Sequence, residues 1–251
     1  MSLPEIHHIH LAETASTNSY ARELPSDSGT LLITADHQTA GRGQRGSTWE
    51  SAAGHNLLFS LVVHPEEIPA SLQFSLCELI SVALCEVLAR YVTDIRIKWP
   101  NDIYHKDKKL CGILIEHDIE GTHLSRSIIG VGLNVNQTEF TSDAPNPISL
   151  RQILGREVER EALLETIATR FMELYTQHTS PTPTLSRTAL HERYVRLLYR
   201  RDQHAPYRDV CGPFTATLRT VAPDGRLLLE DTQGQQRSYL FKEVEFVLVE
   251  E

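Results

Sequence analysis

Apolar residues recur at intervals of three and four across residues 71–91: Leu72, Leu76, Leu79, Ile80, Ala83, Leu84, Val87, Leu88 and Tyr91. That spacing predicts a long amphipathic helix lying on a sheet. A second such face, Leu163, Leu164, Ile167, Phe171, Leu174 and Tyr175, predicts a helix over 161–177. Shorter helices are expected from the cap candidates Ser16, Thr17 and Asn18 to Leu24, and over 186–200, after a Pro- and Thr-rich linker at 178–185. Continuous or alternating apolar runs predict strands at 5–12, 31–35, 56–63, 95–98, 110–116 and 127–136. Past residue 200 the rhythm changes. Runs at 208–222, 226–231 and 235–249 are separated by Asp224-Gly225 and Gln233-Gly234 turns, the pattern of a small β-barrel. The chain therefore reads as α+β, a mixed sheet with packed helices over 1–200 and a small β-domain over 201–251.

The segment between the second and third strands interrupts this pattern. Gly41-Arg42-Gly43-Gln44-Arg45-Gly46-Ser47-Thr48-Trp49 holds three glycines, two arginines and a tryptophan. Successive N–H groups in a glycine loop make an anion-binding concavity, and arginine adds planar, bidentate donors for carboxylate or phosphate. The glycines also satisfy G-x-G-x-x-G, but that dinucleotide fingerprint requires a helix opening directly after the loop, and a β-rich run follows here. A ligand-free surface hairpin is the plain alternative for the stretch on its own.

Other polar groups sit where the pattern does not ask for them. Ser16, Thr17 and Asn18 either cap a helix or line a pocket for a polar, uncharged group such as a ureido ring. Lys98 ends a strand between Ile97 and Trp99, and an ammonium on a core-facing strand needs an anionic partner. Pro100 stops the ladder, placing Asn101 and Asp102 at a strand end or turn, where Asp102 can hold Mg²⁺ beside phosphates. Residues 104–109 read as a basic turn with Lys106 and Lys108 solvated and Lys109 free to point inward. Gly112, Gly130 and Gly132 lie inside strands, which for Gly112 suggests close approach of a ligand, and Asn134 is a polar tip on an apolar strand. His7, His8 and His10 lack a convergent partner cluster for a metal.

Composition narrows the classes. A net charge of −9 and a sequence pI of 5.7 argue against nucleic acid as the main partner, though not against a locally basic pocket. Four scattered cysteines without C-x-x-C spacing fit a reducing compartment. The N-terminus lacks a signal-peptide pattern and no uninterrupted apolar run approaches a membrane span, so a cytoplasmic protein is expected.

Ser16-Thr17-Asn18, the Gly41–Trp49 loop, Lys98-Trp-Pro-Asn-Asp, Lys109-Leu-Cys-Gly-Ile-Leu-Ile-Glu and Gly130-Val-Gly-Leu-Asn134 occur in the order seen in biotin protein ligases, which the chain resembles over essentially its whole length. The resemblance implies a class II synthetase-like catalytic domain with an SH3-like C-terminal barrel. It also implies a two-step reaction: biotin and ATP give biotinyl-5′-AMP and pyrophosphate, and a lysine of a biotin carboxyl carrier domain then takes the biotinyl group. By the same resemblance Ser16, Thr17, Asn18 and Gln38 hold the biotin head. Arg42, Gly43, Gln44, Lys109 and Gly112 complete the biotin site. Arg42, Arg45, Gly46, Trp49, Lys98, Asn101 and Asn134 border ATP, Asp102 takes Mg²⁺, and Arg42, Lys98 and Lys109 carry the catalysis. The family's regulatory members begin with a helix-turn-helix. Ser16 lies too near the start for one, so a monofunctional enzyme without DNA as partner is expected.

Gln44 and Ser47 stand where many members have arginine, so Arg45 or backbone amides would have to compensate in retaining the adenylate. The rival substrate is lipoate, whose lack of a ureido group fits the polar Ser-Thr-Asn set less well. The rival class is a non-catalytic binding module, in which Lys98, Asp102 and Lys109 would have no purpose. A homodimer is compatible with the sequence.

Overall fold

The computed structural model describes residues 4–43, 47–142 and 146–248. Seven strands form the main sheet: β1 (His7–Thr14), β2 (Leu31–Gln38), β3 (Leu57–Val63), β4 (Ile95–Lys98), β5 (Asp102–His105), β6 (Lys108–Glu120) and β7 (His123–Leu133). Their spatial order is β1-β2-β3-β7-β6-β5-β4, with β1 and β2 parallel and every other pair antiparallel. β2 and β3 are continuous apolar runs because both faces of the sheet are covered there. On one face α1 (Thr17–Glu23) seals a small cluster of Ala21, Leu31, Ile33, Val62 and Ile128. On the other lies α2 (Phe74–Leu88), which packs in turn against α4 (Arg160–Thr179) and α5 (Arg187–Arg196).

α2 is shorter than the periodicity over 71–91 suggests, since Ala70–Leu72 form a separate 3₁₀ turn. Every residue of α2 but Phe74 and Glu86 is buried, so it is a core helix more than an amphipathic one. Ala70–Leu88 is apolar and long enough to cross a membrane by composition, but that apolarity is spent on the sheet and two helices.

The second sheet is antiparallel throughout: β8 (His204–Asp209), β9 (Gly212–Val221), β10 (Leu227–Asp231), β11 (Gln236–Tyr239) and β12 (Val244–Phe246), in the order β11-β10-β9-β8-β12. It shares one hydrophobic core with the main sheet. The seam is specific: Trp99 Nε1 donates to Gly225 O at 2.9 Å, and Ile97 exchanges backbone hydrogen bonds with Leu197 and Tyr199.

Several expectations need correction. The basic turn at 104–109 is narrower: Tyr104 and His105 belong to β5, and only Lys106-Asp107 turn, with Lys106 at φ 53°. The run 208–222 is two strands broken at Val210-Cys211, where Gly212 takes φ 118°. The run 235–249 likewise divides into β11 and β12. α3 (Leu150–Leu154) was not foreseen, although Ser149 and Gln152 form a capping box and Gly155 closes it at φ 70°. The 178–185 stretch is less of a linker than its composition suggests, since α4 runs on to Thr179 and Leu185 is buried.

Candidate active site

One cleft of about 620 Å³ opens where α1, the middle of the main sheet and β12 meet. Its closed end is made by Ser16, Thr17 and Asn18, all buried. Ser16 is the N-cap residue of α1 yet makes no side-chain cap bond, so capping does not explain the trio. Thr17 donates its backbone N–H to Gln38 Oε1 at 2.7 Å, and its hydroxyl lies 3.2 Å from the same oxygen. Asn18 Nδ2 donates to Leu114 O (3.2 Å) and to Glu116 Oε2 (2.8 Å). Beneath them, Ser60 Oγ on β3 contacts both Thr17 Oγ1 and Asn18 Oδ1.

The floor is built from missing side chains. Gly112 on β6 is in register with Gly132 on β7, and the Trp49 indole lies over both. A Cβ at Gly112 would fall 2.8 Å from Trp49 Cζ3, and one at Gly132 would fall 2.4 Å from Cε2. Gly130 does the same for Asn18, whose Oδ1 would be 2.1 Å from a Cβ there. These glycines are required by close approach.

The open end is cationic. Lys109 Nζ pairs with Asp102 Oδ2 at 2.8 Å and sits 5.7 Å from the centre of the Trp49 ring. Lys98 Nζ donates to Tyr104 OH at 3.2 Å and lies over the Tyr104 and Phe246 rings. Burial pulls the Lys98 ammonium below the usual lysine range, with Asp102 opposing that shift. Arg42 Nη2 donates to Glu116 Oε2 at 2.7 Å, the oxygen that also receives Asn18. The two flanks of the glycine loop pair antiparallel, with Trp49 N donating to Gly41 O at 3.0 Å and Gly43 N to Ser47 O at 2.6 Å.

The cleft therefore collects Ser16, Thr17, Asn18, Gln38, Arg42 and Gly43 from one side, and Trp49, Lys98, Asn101, Asp102, Lys109 and Gly112 from the other. Gln44, Arg45 and Gly46 lie outside the described residues. Asn134 does not line the cleft: its Nδ2 donates to Ile148 O at 3.2 Å, and its buried Oδ1 takes no hydrogen bond. Asn101 lines it while donating to Ile113 O at 2.5 Å, which ties the start of β5 to β6.

Three contributions were not read from sequence. Ser60 is a small polar residue in an apolar run, a weak signal. Glu116 was visible only as the last letter of a motif. Lys242, Glu245 and Phe246 reach the cleft from the second sheet, and no local pattern announces so distant a contact.

The sequence profile of the biotin/lipoate A/B protein ligase family matches residues 11–134. The bifunctional ligase/repressor BirA of Bacillus subtilis is 34% identical over 244 residues, covering 93% of this chain and 72% of that protein. A biotin–[acetyl-CoA-carboxylase] ligase of Paracoccus denitrificans is 34% identical over 173 residues, 64% of this chain and 70% of that one. Among solved structures, the biotin protein ligase of Aquifex aeolicus in complex with biotin and ATP superposes with a TM-score of 0.79 at 25% identity, covering 96% of this chain and 99% of that one. With the fold, the motif order and these likenesses in agreement, the chain belongs to the biotin/lipoate A/B protein ligase family, among its biotin protein ligases.

Proposed function

We propose that the cleft activates biotin with ATP, forming biotinyl-5′-AMP and pyrophosphate, and then passes the biotinyl group to a lysine of a biotin carboxyl carrier domain. The observation that carries this is the polarity gradient along one cleft: a buried, uncharged Ser16-Thr17-Asn18 end, a flat glycine floor, and a cationic end of Arg42, Lys98 and Lys109. A ureido ring, an aliphatic chain and a carboxylate meeting a triphosphate need those environments in that order. A dithiolane ring has no N–H to offer the closed end, which favours biotin over lipoate.

In the first half-reaction a biotin carboxylate oxygen bonds to the α-phosphorus as the bond to the pyrophosphate oxygen breaks. In the second, the carrier amine bonds to the acyl carbon, AMP leaves and the amine loses a proton. Neither step needs a protein nucleophile. Arg42 and Lys109 bring two anions together and Lys98 meets phosphate, so catalysis is positioning and charge stabilisation in a partly dry site. Arg42 is held by Glu116 and Lys109 by Asp102, and both cations would exchange a protein carboxylate for a ligand anion. Trp49 would border the nucleotide from the floor.

Mg²⁺ fits this donor set. No group of three acidic, His or Cys side chains gathers among the described residues. Mg²⁺ nevertheless binds through one or two carboxylates plus phosphate oxygens, and Asp102 faces the cleft. The ion would screen phosphate charge. The small second sheet, as a domain over 201–251, would close the nucleotide end. Free, buried Cys77, Cys85 and Cys111 suit a cytoplasmic setting, and the net charge of −9 argues against DNA as the main partner.

Pyrophosphate–ATP exchange with biotin or lipoate as the acid tests this reading. Exchange with biotin, lost in Arg42→Ala and Lys109→Ala, followed by labelling of a carrier domain, is expected. Exchange with lipoate alone would overturn the substrate, and none with either acid would overturn the reaction.

A further inference from the structure

The closed end of the cleft rests on a hydroxyl that does not line it. Ser60 is the one polar residue in Leu57–Val63, and it is fully buried at the centre of β3. Its Oγ lies 2.8 Å from Thr17 Oγ1 and 2.7 Å from Asn18 Oδ1. A hydroxyl has a single proton to give, so the two contacts cannot both be donations from Ser60.

The neighbours decide where that proton goes. Asn18 Nδ2 faces a carbonyl, Leu114 O, and a carboxylate, Glu116 Oε2, both acceptors. This fixes the amide, and Oδ1 toward Ser60 can only accept. Ser60 therefore donates to Asn18. Thr17 must then supply the proton for its contact with Ser60, and the hydroxyl oxygen that carries it lies 3.2 Å from a second acceptor, Gln38 Oε1. Whichever acceptor holds it, the proton of Thr17 is spent inside the protein, and only lone pairs remain to face the cleft. The Asn18 amide is used up as well. Its carboxylate partner, Glu116 Oε2, takes Arg42 Nη2, so the chain runs Ser60–Asn18–Glu116–Arg42 from the closed end to the cationic one.

We propose that Ser60 is a specificity-determining positioning residue for the acid substrate. By fixing the donor and acceptor sense of Thr17 and Asn18, it makes Thr17 an acceptor for an N–H group, such as one of a ureido ring, and that position a poor host for rings that carry none. The inference rests on the biotin reading given above.

Ser60→Ala, Thr17→Val and the double variant in pyrophosphate exchange test it, with lipoate as a competing acid and thermal melts as a fold control. Ser60→Ala removes one oxygen from a buried site. It should melt cooperatively with the secondary structure of the parent. The KM for biotin should rise about tenfold or more, the scale of one buried hydrogen bond and its orphaned partner. kcat should change far less, the KM for ATP should stay put, and inhibition by lipoate should not weaken. The double variant should cost less than the product of the single effects. An unchanged KM for biotin, an equal rise in the KM for ATP, or strictly multiplicative effects would overturn the inference while leaving the ligase reading intact. Absence of biotin-dependent exchange in the unsubstituted protein would instead bring down the ligase reading, and the inference with it.

Discussion

Gly130→Ala adds one methyl group at the point where the closed end of the cleft touches the sheet. Gly130 lies on β7, in register with Ser60 on β3 and Leu114 on β6. A Cβ there would sit 2.1 Å from Asn18 Oδ1, 2.8 Å from Cγ and 3.1 Å from Nδ2. Real Cβ contacts below 3.0 Å essentially never occur. The side chain that must give way is short and carried on the buried face of α1, so either the amide turns or α1 shifts. Turning the amide breaks up to three hydrogen bonds, to Ser60, Leu114 and Glu116.

Overpacking of this kind costs about 1–3 kcal/mol, and each net hydrogen bond about 1. Replacing glycine in a strand by alanine returns roughly 0.5–1 kcal/mol through chain entropy. A net loss on the order of 2–4 kcal/mol follows, a fall in Tm of roughly 4–16 °C for a chain of this size. The KM for biotin should rise with it, because Thr17 and Asn18 share a helix. Calorimetry and pyrophosphate exchange on Gly130→Ala, Asn18→Ala and the double variant decide the matter. Truncating Asn18 removes the three atoms nearest the added methyl, so the double variant should be no less stable than Asn18→Ala. A Gly130→Ala protein that melts with the parent and keeps its KM for biotin would refute the reasoning, as would strictly additive losses in the double.

Three further outcomes are expected. His191→Ala leaves the buried carboxylate of Glu78 without its partner at 2.6 Å, and should cost about 2–4 kcal/mol in urea unfolding, below a fully buried pair because His191 is partly exposed. The Glu78 hydrogen bond raises the His191 pKa above 6.5, although burial and Arg187 oppose it. The stabilisation is therefore complete below pH 6.5 and fades as pH rises through the raised value, and the parent should lose stability there where His191→Gln does not. Burial acts to raise the pKa of Glu50, but hydrogen bonds from Ser142 and Thr141 prevail and hold it at about 2. Its contribution is present above pH 4.5 and lost as pH falls toward 2, so amide exchange at Thr141 and Ser142 should accelerate in that window and not in Glu50→Gln. Gly132→Ala must lift the indole off the floor, and since Trp49 and Trp99 are the only tryptophans and Trp99 stays buried, emission should shift to the red.

What was legible in the sequence was whatever is periodic or chemically out of place. The 3.6-residue spacing over α2 and α4 is local, and so are the apolar runs of β2, β3 and β7. Arg42 in a glycine loop, Lys98 between Ile97 and Trp99, and Gly112, Gly130 and Gly132 inside strands violate local expectation, and each of these lies in the cleft. The hidden features are those whose reason lies elsewhere in the chain. β5 was masked because the charged residues of its turn dominate the reading of 104–109, while its pairing with β4 and β6 is invisible locally. Asn134 looked like a strand tip facing a ligand, yet β7 carries it past the cleft, toward Ile148.

Ser60 is the sharpest case. In sequence it is an ordinary serine in a strand, one that packs nearly as well as alanine. Its importance comes from register: Ser60 pairs with Gly130, the missing Cβ of Gly130 admits Asn18, and the amide of Asn18 then dictates where the hydroxyl proton points. Residue types along the chain say which groups are available to meet a ligand. Which of them donates and which accepts is settled only where β3, β7 and α1 meet, so a donor pattern selective for a ureido ring belongs to the packing of the sheet as much as to the motif that names the family.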